Sequence, residues 1–309
     1  MYRKNVLITG GTGSLGYALV EKFLANGANI SIYSRDEKKQ YDMKKVYPDC
    51  KYIIGDIRNY HSIRDAVRGA DIVIHAASLK YVNISELQPY EYTTVNVDGT
   101  INLVNAVLDE KNVERCVGIS TDKACVPVNA YGLTKALLEK IMLEANTRQG
   151  GQTVFNVARY GNVIGTRGSV LPFWKERRDQ GLTIPITNPD MTRFFFTLDE
   201  AVELIEYCLS APRNVIVSKA MAGVTLIELA NAMKGNSTIE VIGERPGEKH
   251  HEMLLSEDEI KRSYKDEKMW IYDPSASPAE NNEYPSGYSS LNADRMTSEE
   301  IITLIKEFI

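Results

Sequence analysis

Thr9-Gly10-Gly11-Thr12-Gly13-Ser14-Leu15-Gly16 stands between an apolar, strand-like run, Asn5–Thr9, and a segment of helical periodicity, Tyr17–Ala25. Glycines at 10, 13 and 16 permit a tight turn and a close approach of backbone to a ligand, and the free N–H groups at a helix start favour a pyrophosphate. A glycine triplet alone is a weak signal. Its place between a first strand and a first helix makes it specific, with Thr12, Ser14 and Leu15 completing the candidate cofactor loop.

Outward from this loop, strand-like runs recur at Asn29–Tyr33, Tyr52–Ile54, Asp71–His75, Arg115–Ile119 and Thr153–Ala158, separated by helical segments. That alternation predicts an α/β fold: a doubly wound parallel sheet with helices on both faces. Asn26-Gly27-Ala28-Asn29 marks the end of the first helix. After about Gly161 the pattern changes to Gly-, Pro- and Thr-rich loops with short elements. Residues 1–160 therefore read as a dinucleotide-binding domain and 161–309 mainly as a smaller substrate lobe, with the chain crossing back to the first domain. Asp273–Ser290 has no clear period and reads as a surface cover before a last helix, Ser298–Phe308. No internal repeat is visible.

The bulk properties exclude several classes. No apolar run approaches the ~20 residues of a membrane helix, and the start MYRKNVLITGG lacks a signal-peptide cleavage site, so a cytoplasmic protein is expected. A net charge of −5 with dispersed Lys and Arg offers nucleic acid no basic footprint. Cys50, Cys116, Cys125 and Cys208 form no CxxC pair, and among His61, His75, His250 and His251 only the last two are adjacent, so no metal site is expected.

Ser34-Arg35-Asp36 ends the second strand, where a guanidinium suits a 2′-phosphate; NADP is preferred over NAD, with Asp36 as the competing feature. Asp56, followed by Ile57, is placed after the third strand to accept the adenine amino group. Ala76-Ala77-Ser78 follows the fourth strand, its small side chains letting a dinucleotide lie against the backbone. His75 reads as a packed core histidine. The most informative segment is Ser120-Thr121-Asp122-Lys123, then Tyr131-Gly132-Leu133-Thr134-Lys135. Tyr131 and Lys135, four apart, share a helix face, and a cationic Lys135 is expected to lower the Tyr131 pKa toward the phenolate that removes a hydroxyl proton. Asp122 and Lys123 add an acid and a base that a plain reductase does not need.

With these motifs the chain resembles the extended short-chain dehydrogenases and, within them, the soluble UDP-N-acetylglucosamine 4,6-dehydratases that invert C5. The resemblance is carried by TGGTGSLG (9–16), SRDEKKQ (34–40), HAASLKYV (75–82), STDKA (120–124), YGLTK (131–135), RYGNVIGTRGSVLPF (159–173), PIT (185–187), MTRFF (191–195) and RPGEKHHE (245–252). It implies that Tyr131 takes the C4 hydroxyl proton as hydride passes to NADP+, that Lys123 is the base at C5, and that Asp122 protonates the departing C6 hydroxyl, with Thr121 and Lys135 in the same catalytic set. Lys123 must then be neutral, its pKa depressed by burial or a neighbouring cation. The candidate cofactor set extends to Lys80, Asn96, Tyr131, Lys135 and Tyr160. For a UDP-sugar, Asn162, Arg193 and Arg245 are chosen for diphosphate and sugar, Glu248 for ribose hydroxyls and Thr187 for a uracil slot, with Lys80 and Val170 beside them. Tyr81, Cys125 and Val126 depart from the family pattern and leave the exact sugar and the C5 stereochemistry open. A homo-oligomer is implied by the resemblance. A UDP-hexose 4-epimerase and a non-catalytic NADP-binding regulator are the alternative readings.

Overall fold

The computed structural model describes residues 3–148, 152–166, 168–279 and 283–309; Arg167 of the RYGNVIGTRGS motif and residues 280–282 of the Asp273–Ser290 stretch lie outside them. Six parallel strands come first: β1 (Asn5–Thr9), β2 (Asn29–Ser34), β3 (Lys51–Ile54), β4 (Ile72–His75), β5 (Arg115–Thr121) and β6 (Val154–Tyr160). The helices between them are α1 (Ser14–Ala25), α2 (Glu37–Val46), α3 (Tyr60–Val67), α4 (Val82–Leu87), α5 (Pro89–Thr93), α6 (Gly99–Asp109) and α7 (Ala130–Arg148).

The inner strands are apolar because they are buried on both faces, whereas β3, at the sheet edge, is only partly covered. Within β1, Leu7 packs into one layer with Val73, Leu103, Val107, Leu138 and Phe155, while Val6 and Ile8 face Leu19, Val20, Phe23 and Ile205 in the other. Helix α1 ends as its sequence demands: Gly27 has φ +75°, and Gly27 and Ala28 N–H donate to Leu24 and Phe23 carbonyls, a Schellman closure. It starts three residues earlier than its periodicity suggests, at Ser14 instead of Tyr17, so Ser14, Leu15 and Gly16 are already helical.

The second half supplies β7 (Asn162–Val163), α8 (Val170–Asp179), β8 (Ile184–Ile186), β9 (Thr192–Phe196), α9 (Leu198–Ser210), β10 (Ile216–Lys219), β11 (Gly223–Thr225), α10 (Leu226–Met233), β12 (Ile239–Val241), β13 (Met253–Leu255), α11 (Glu257–Ile260), β14 (Ser263–Asp266), β15 (Met269–Tyr272), β16 (Tyr288–Ser289) and α12 (Ser298–Ile305). Strand β10 lies parallel to β6, and the β14–β15 hairpin closes that edge antiparallel, giving the order β14-β15-β10-β6-β5-β4-β1-β2-β3. A separate cluster of Leu171, Trp174, Ile186, Phe195, Leu229, Met233, Ile301 and Ile305 is the core of the smaller lobe. Two expectations need correction. The last helix ends at Ile305, not Phe308. The Asp273–Ser290 stretch is not only surface: Tyr284 and Tyr288 are buried and stack edge-on, ring centroids 5.0 Å apart, beside Trp270.

This topology reverses direction between β1 and β4, the switch point at which a doubly wound sheet opens a crevice. Gly10, Ser34, Asp56, Ala76, Thr121 and Tyr160 all lie at the carboxyl ends of their strands. One edge of the sheet thus collects the candidate cofactor and catalytic residues that follow these strands. Among the described residues no helix is long and apolar enough to cross a membrane.

Candidate active site

At the glycine loop the backbone leaves no room for side chains except on one side. A Cβ on Gly10 (φ +68°) would lie 2.7 Å from the Ala77 nitrogen, and one on Gly16 would lie 2.0 Å from the Gly11 carbonyl oxygen. The same atom on Gly13 would meet only the Gly10 oxygen, at 3.4 Å, so space stays open at the helix start. No side chain caps α1 there, which leaves its first N–H groups directed at that space. The backbone of Ala76 and Ala77 lies directly against Gly10.

At the end of β2, Arg35 is half-exposed and lies 3.7 Å from Asp56. Asp56 is held mainly by Arg58, whose hydrogen bonds keep its carboxyl below the usual range. Asp36 caps α2, accepting from the Lys39 N–H at 3.0 Å and pairing with the Lys39 ammonium at 2.9 Å. Ser34 is pinned by the Gln40 amide. His75 is a core residue: its ring nitrogens lie 2.9 and 3.0 Å from the Thr9 and Thr100 hydroxyls, and burial pushes its pKa down to about 3. Asn96 donates to the Leu79 carbonyl and the Thr134 hydroxyl and accepts from the Leu79 N–H. Its amide thereby ties the loop after β4 to α7. Lys80 lies 5.8 Å from the Tyr81 ring centre.

The catalytic candidates are assembled by a short turn. β5 runs on to Thr121, whose hydroxyl accepts the Lys123 N–H and caps a 3-10 turn, Asp122–Ala124. Helix α7 then starts hard against this turn. Asn129 accepts the Gly132 N–H and donates to the Gly247 carbonyl, and a Cβ on Gly132 would lie 2.3 Å from the Lys123 carbonyl oxygen. Only glycine permits this packing, which the sequence reading did not single out. It brings the Tyr131 hydroxyl to a hydrogen bond with Thr121.

The expected influence of Lys135 on Tyr131 is not what the geometry gives. Burial raises the phenol pKa to about 12, and the cation and donor that oppose this are Lys123 and Thr121. Lys135 is itself buried, donates to the Ile119 carbonyl, and is lowered to about 8 by burial. Ser120 turns away from Tyr131 and donates to Glu139 at 2.6 Å. Tyr160 packs near Tyr131, its ring 5.9 Å from Phe196.

Lys123 brings a second correction. Its ammonium sits between two buried carboxyl groups, 2.9 Å from Asp122 Oδ1 and 3.1 Å from Glu252 Oε1, with the Asn162 amide oxygen at 3.4 Å. Burial alone would lower its pKa, but the two carboxylates outweigh burial and raise it. The neutral amine required of a base is therefore not its resting form. Asp122 is fully buried; desolvation and the Glu252 charge raise its pKa, against the opposing pull of Lys123 and Lys249. Burial would raise Glu252 too, yet Lys123, Arg193 and Lys249 hold it ionised. Asp122 Oδ2 and Glu252 Oε2 have no hydrogen-bond partner. Glu252 escaped the sequence reading although it ends the quoted RPGEKHHE motif. The available signal was a carboxylate immediately before a short apolar strand, β13.

The smaller lobe groups three of the substrate candidates. Arg193 is buried, donates to the Thr192 and His250 carbonyls, and pairs with Glu248 at 3.1 Å; the Thr187 hydroxyl lies 3.4 Å from the same Glu248 oxygen. Glu248 Oε2 is buried without a partner. Val170 opens α8, half-buried, and Arg245 is exposed on the neighbouring loop. Behind the site, Arg159 is fully buried and clamped between Glu139 and Glu259 at 2.6 and 2.8 Å. Among the described residues no cluster of His, Cys, Asp and Glu could hold a metal ion.

A nine-stranded sheet of this order, a glycine loop at its switch point and a Tyr131–Lys135 helix beside a Thr121-capped turn define an extended short-chain dehydrogenase/reductase. Residues 6–274 match the family described as polysaccharide biosynthesis protein. Curated relatives include the inverting UDP-N-acetylglucosamine 4,6-dehydratase of Campylobacter jejuni, 41% identical over 88% of this chain and 84% of that protein. They also include the UDP-glucose 4-epimerase of Rickettsia rickettsii, 43% identical over 84% of this chain and 80% of its own. The crystal structure of Pen from Bacillus thuringiensis superimposes with a TM-score of 0.92 at 32% identity, covering 99% of this chain and 98% of that one. The Thermus thermophilus UDP-glucose 4-epimerase complexed with NAD shares the fold, with a TM-score of 0.67 at 23% identity over 79% of this chain and 88% of its own. The chain belongs to the polysaccharide biosynthesis protein family.

Proposed function

We propose that the chain is a UDP-N-acetylglucosamine 4,6-dehydratase that inverts C5 and works with NADP. The observation that carries this reading is the buried Asp122–Lys123–Glu252 cluster beside Tyr131. An epimerase that exchanges hydride at C4 has no use for an acid and a base beyond the phenol, whereas elimination across C5 and C6 needs both.

The open side of Gly13 and the uncapped start of α1 fit a pyrophosphate, Ala76 and Ala77 fit the dinucleotide's flat path, and Arg35 fits a 2′-phosphate because Asp36 is engaged as a helix cap. A nicotinamide held there would supply the hydride acceptor for C4 and the hydride donor for C6. Tyr131, oriented by Thr121, receives the C4 hydroxyl proton. The C4 ketone acidifies C5–H, Lys123 removes that proton, and the protonated Asp122 carboxyl delivers its own to the departing C6 hydroxyl. Lys135, Asn96 and Tyr160 hold the cofactor side of the cleft; Arg193, Arg245, Asn162, Glu248 and Thr187 hold the UDP-sugar, with Lys80 and Val170 at its rim. Exposed Leu87, Tyr90, Leu133 and Leu137 on the mutually packed α4, α5 and α7 support a homo-oligomer.

A second reading, a UDP-hexose 4-epimerase, is favoured by the Rickettsia relatives, which match at the same level. Incubation with UDP-N-acetylglucosamine in D2O, read by mass spectrometry and NMR, separates the two. Loss of water with deuterium at an inverted C5 supports the dehydratase; unchanged mass with a C4 epimer makes the chain an epimerase; no reaction with UDP-N-acetylglucosamine or, in a parallel incubation, with UDP-glucose overturns both.

A further inference from the structure

The dehydratase reading leaves Lys123 with a difficulty that the geometry answers. An ammonium has no lone pair, so Lys123 must lose a proton before it takes one from C5. Two carboxyl groups lie within hydrogen-bond distance, at 2.9 and 3.1 Å; the third acceptor, the Asn162 amide oxygen at 3.4 Å, is too weakly basic to take a proton. Asp122 is unsuited, because its carboxyl must keep a proton for the C6 hydroxyl. Glu252 is suited: it is 1% exposed, one of its oxygens meets Lys123, and the other makes no hydrogen bond, the Lys249 ammonium standing 3.8 Å from it.

The groups facing Glu252 come from three elements. Lys123 and Asp122 approach from the turn after β5, Arg193 from β9, and Lys249 from the preceding loop at 3.8 Å. The backbone is fixed as well, the Glu252 N–H donating to the Ser290 hydroxyl at 3.0 Å and its carbonyl accepting the Ser290 N–H at 2.8 Å.

We propose that Glu252 is the proton acceptor through which Lys123 becomes a base, a residue acting on the reaction by way of its neighbour. One N–H bond of Lys123 breaks as an O–H bond forms on Glu252. The freed amine takes the C5 proton, the C6–O bond breaks, and the hydroxyl leaves as water with the proton of Asp122. The cluster then holds Asp122 ionised, Lys123 charged and Glu252 protonated, with as many protons as at the start. Lys123, bonded to both carboxyl groups, restores the starting state by passing a proton to Asp122 and accepting the one on Glu252. The proton that later returns to C5 balances the one Tyr131 took from the C4 hydroxyl.

This inference rests on the dehydratase reading, and its test keeps the two apart. Glu252→Gln preserves size and removes the acceptor. The expected result with UDP-N-acetylglucosamine is a kcat for water loss lowered about 10²–10³-fold, a KM within about threefold, and accumulation of bound reduced nicotinamide, because the C4 step is untouched. The variant's kcat should climb roughly tenfold per pH unit as bulk base replaces Glu252, where the wild type stays flat between about pH 6 and about pH 9. Glu252→Asp should recover at least about tenfold over the Gln variant. A Gln variant within about threefold of wild-type kcat, or one whose pH profile parallels the wild type, overturns the relay alone. Should the Gln variant fail to fold, the wild-type profile decides: flat supports the relay, and a tenfold rise per pH unit overturns it. A wild type that releases no water overturns the dehydratase reading and the relay with it.

Discussion

Glu259→Gln tests how firmly the site's back wall is held. Glu259 is 14% exposed, caps its own short helix α11, accepts from both Arg159 terminal nitrogens at 2.8 and 2.9 Å and from the Cys125 thiol at 3.4 Å. Burial alone would raise its carboxyl, but the Arg159 charge outweighs it and pulls the pKa from 4.5 to about 2. At ~1.4 kcal/mol per pH unit this corresponds to about 3 kcal/mol of stability at neutral pH. Removing one partner of a buried ion pair costs about 3–5 kcal/mol, the same range. With ~2.1 cal/mol/K per residue the unfolding entropy of 309 residues is about 0.65 kcal/mol/K, so Tm should fall by about 5 °C at pH 7. The sign of the pH dependence follows from the lowered pKa. The stabilisation is complete above the unfolded carboxyl's pKa of 4.5 and fades as pH falls toward 2; by about pH 3 roughly 2 kcal/mol of it is gone. Thermal scans of both proteins from pH 7 downward should show the gap closing. A loss under about 1 °C at pH 7, or a gap that does not narrow with acid, would refute the reasoning.

Arg35→Asp places a carboxylate near Asp56 at the end of β2 and should shift preference from NADP to NAD; unchanged relative affinity in a cofactor titration would remove Arg35 from the 2′-phosphate site. Val126 carries a β-branched side chain at φ +47° in an exposed loop, so Val126→Asn should stabilise by about 1 kcal/mol in denaturant unfolding, Asn tolerating the left-handed region. Tyr131→Phe should lower turnover by at least about 10²-fold while calorimetry still detects UDP-sugar binding, and activity within about tenfold of wild type would defeat its assignment.

The six parallel strands and the glycine loop were legible because continuous apolar runs and glycine spacing are local properties. Helix α1 was cut short because Ser14-Leu15-Gly16 has turn-like composition, and its first turn is helical through packing on the backbone of Gly11. The β14–β15 hairpin stayed hidden because Ser263–Asp266 is a polar edge strand with no apolar alternation; its placement comes from pairing with the buried Met269–Tyr272. The charge state of Lys123 was read the wrong way round for a related reason. Its immediate neighbours supply one carboxylate, and the second arrives from Glu252 only when the smaller lobe folds back over the turn. Likewise Arg193, Glu248 and Thr187 were nominated singly, and their convergence is a property of the lobe's packing.

The return of the chain to the first sheet bears on how such proteins can be rebuilt. Arg159 belongs to the first half, yet its counter-ion Glu259, the Leu254 carbonyl it donates to, and the closing strands β10, β15 and β14 belong to the second. A fragment stopping near residue 160 would leave Arg159 with Glu139 as one of its two counter-ions and expose β6 as a raw edge. Grafting a foreign specificity lobe onto this scaffold therefore means transplanting the segments from Leu171 to Phe195 and from Val224 to Arg245 together with α12, while keeping α9, β10 and the run from Glu252 to Tyr272 native. The nucleotide-binding half is, in this sense, not a detachable module, and diversification of its substrate range is channelled into insertions between fixed anchor points.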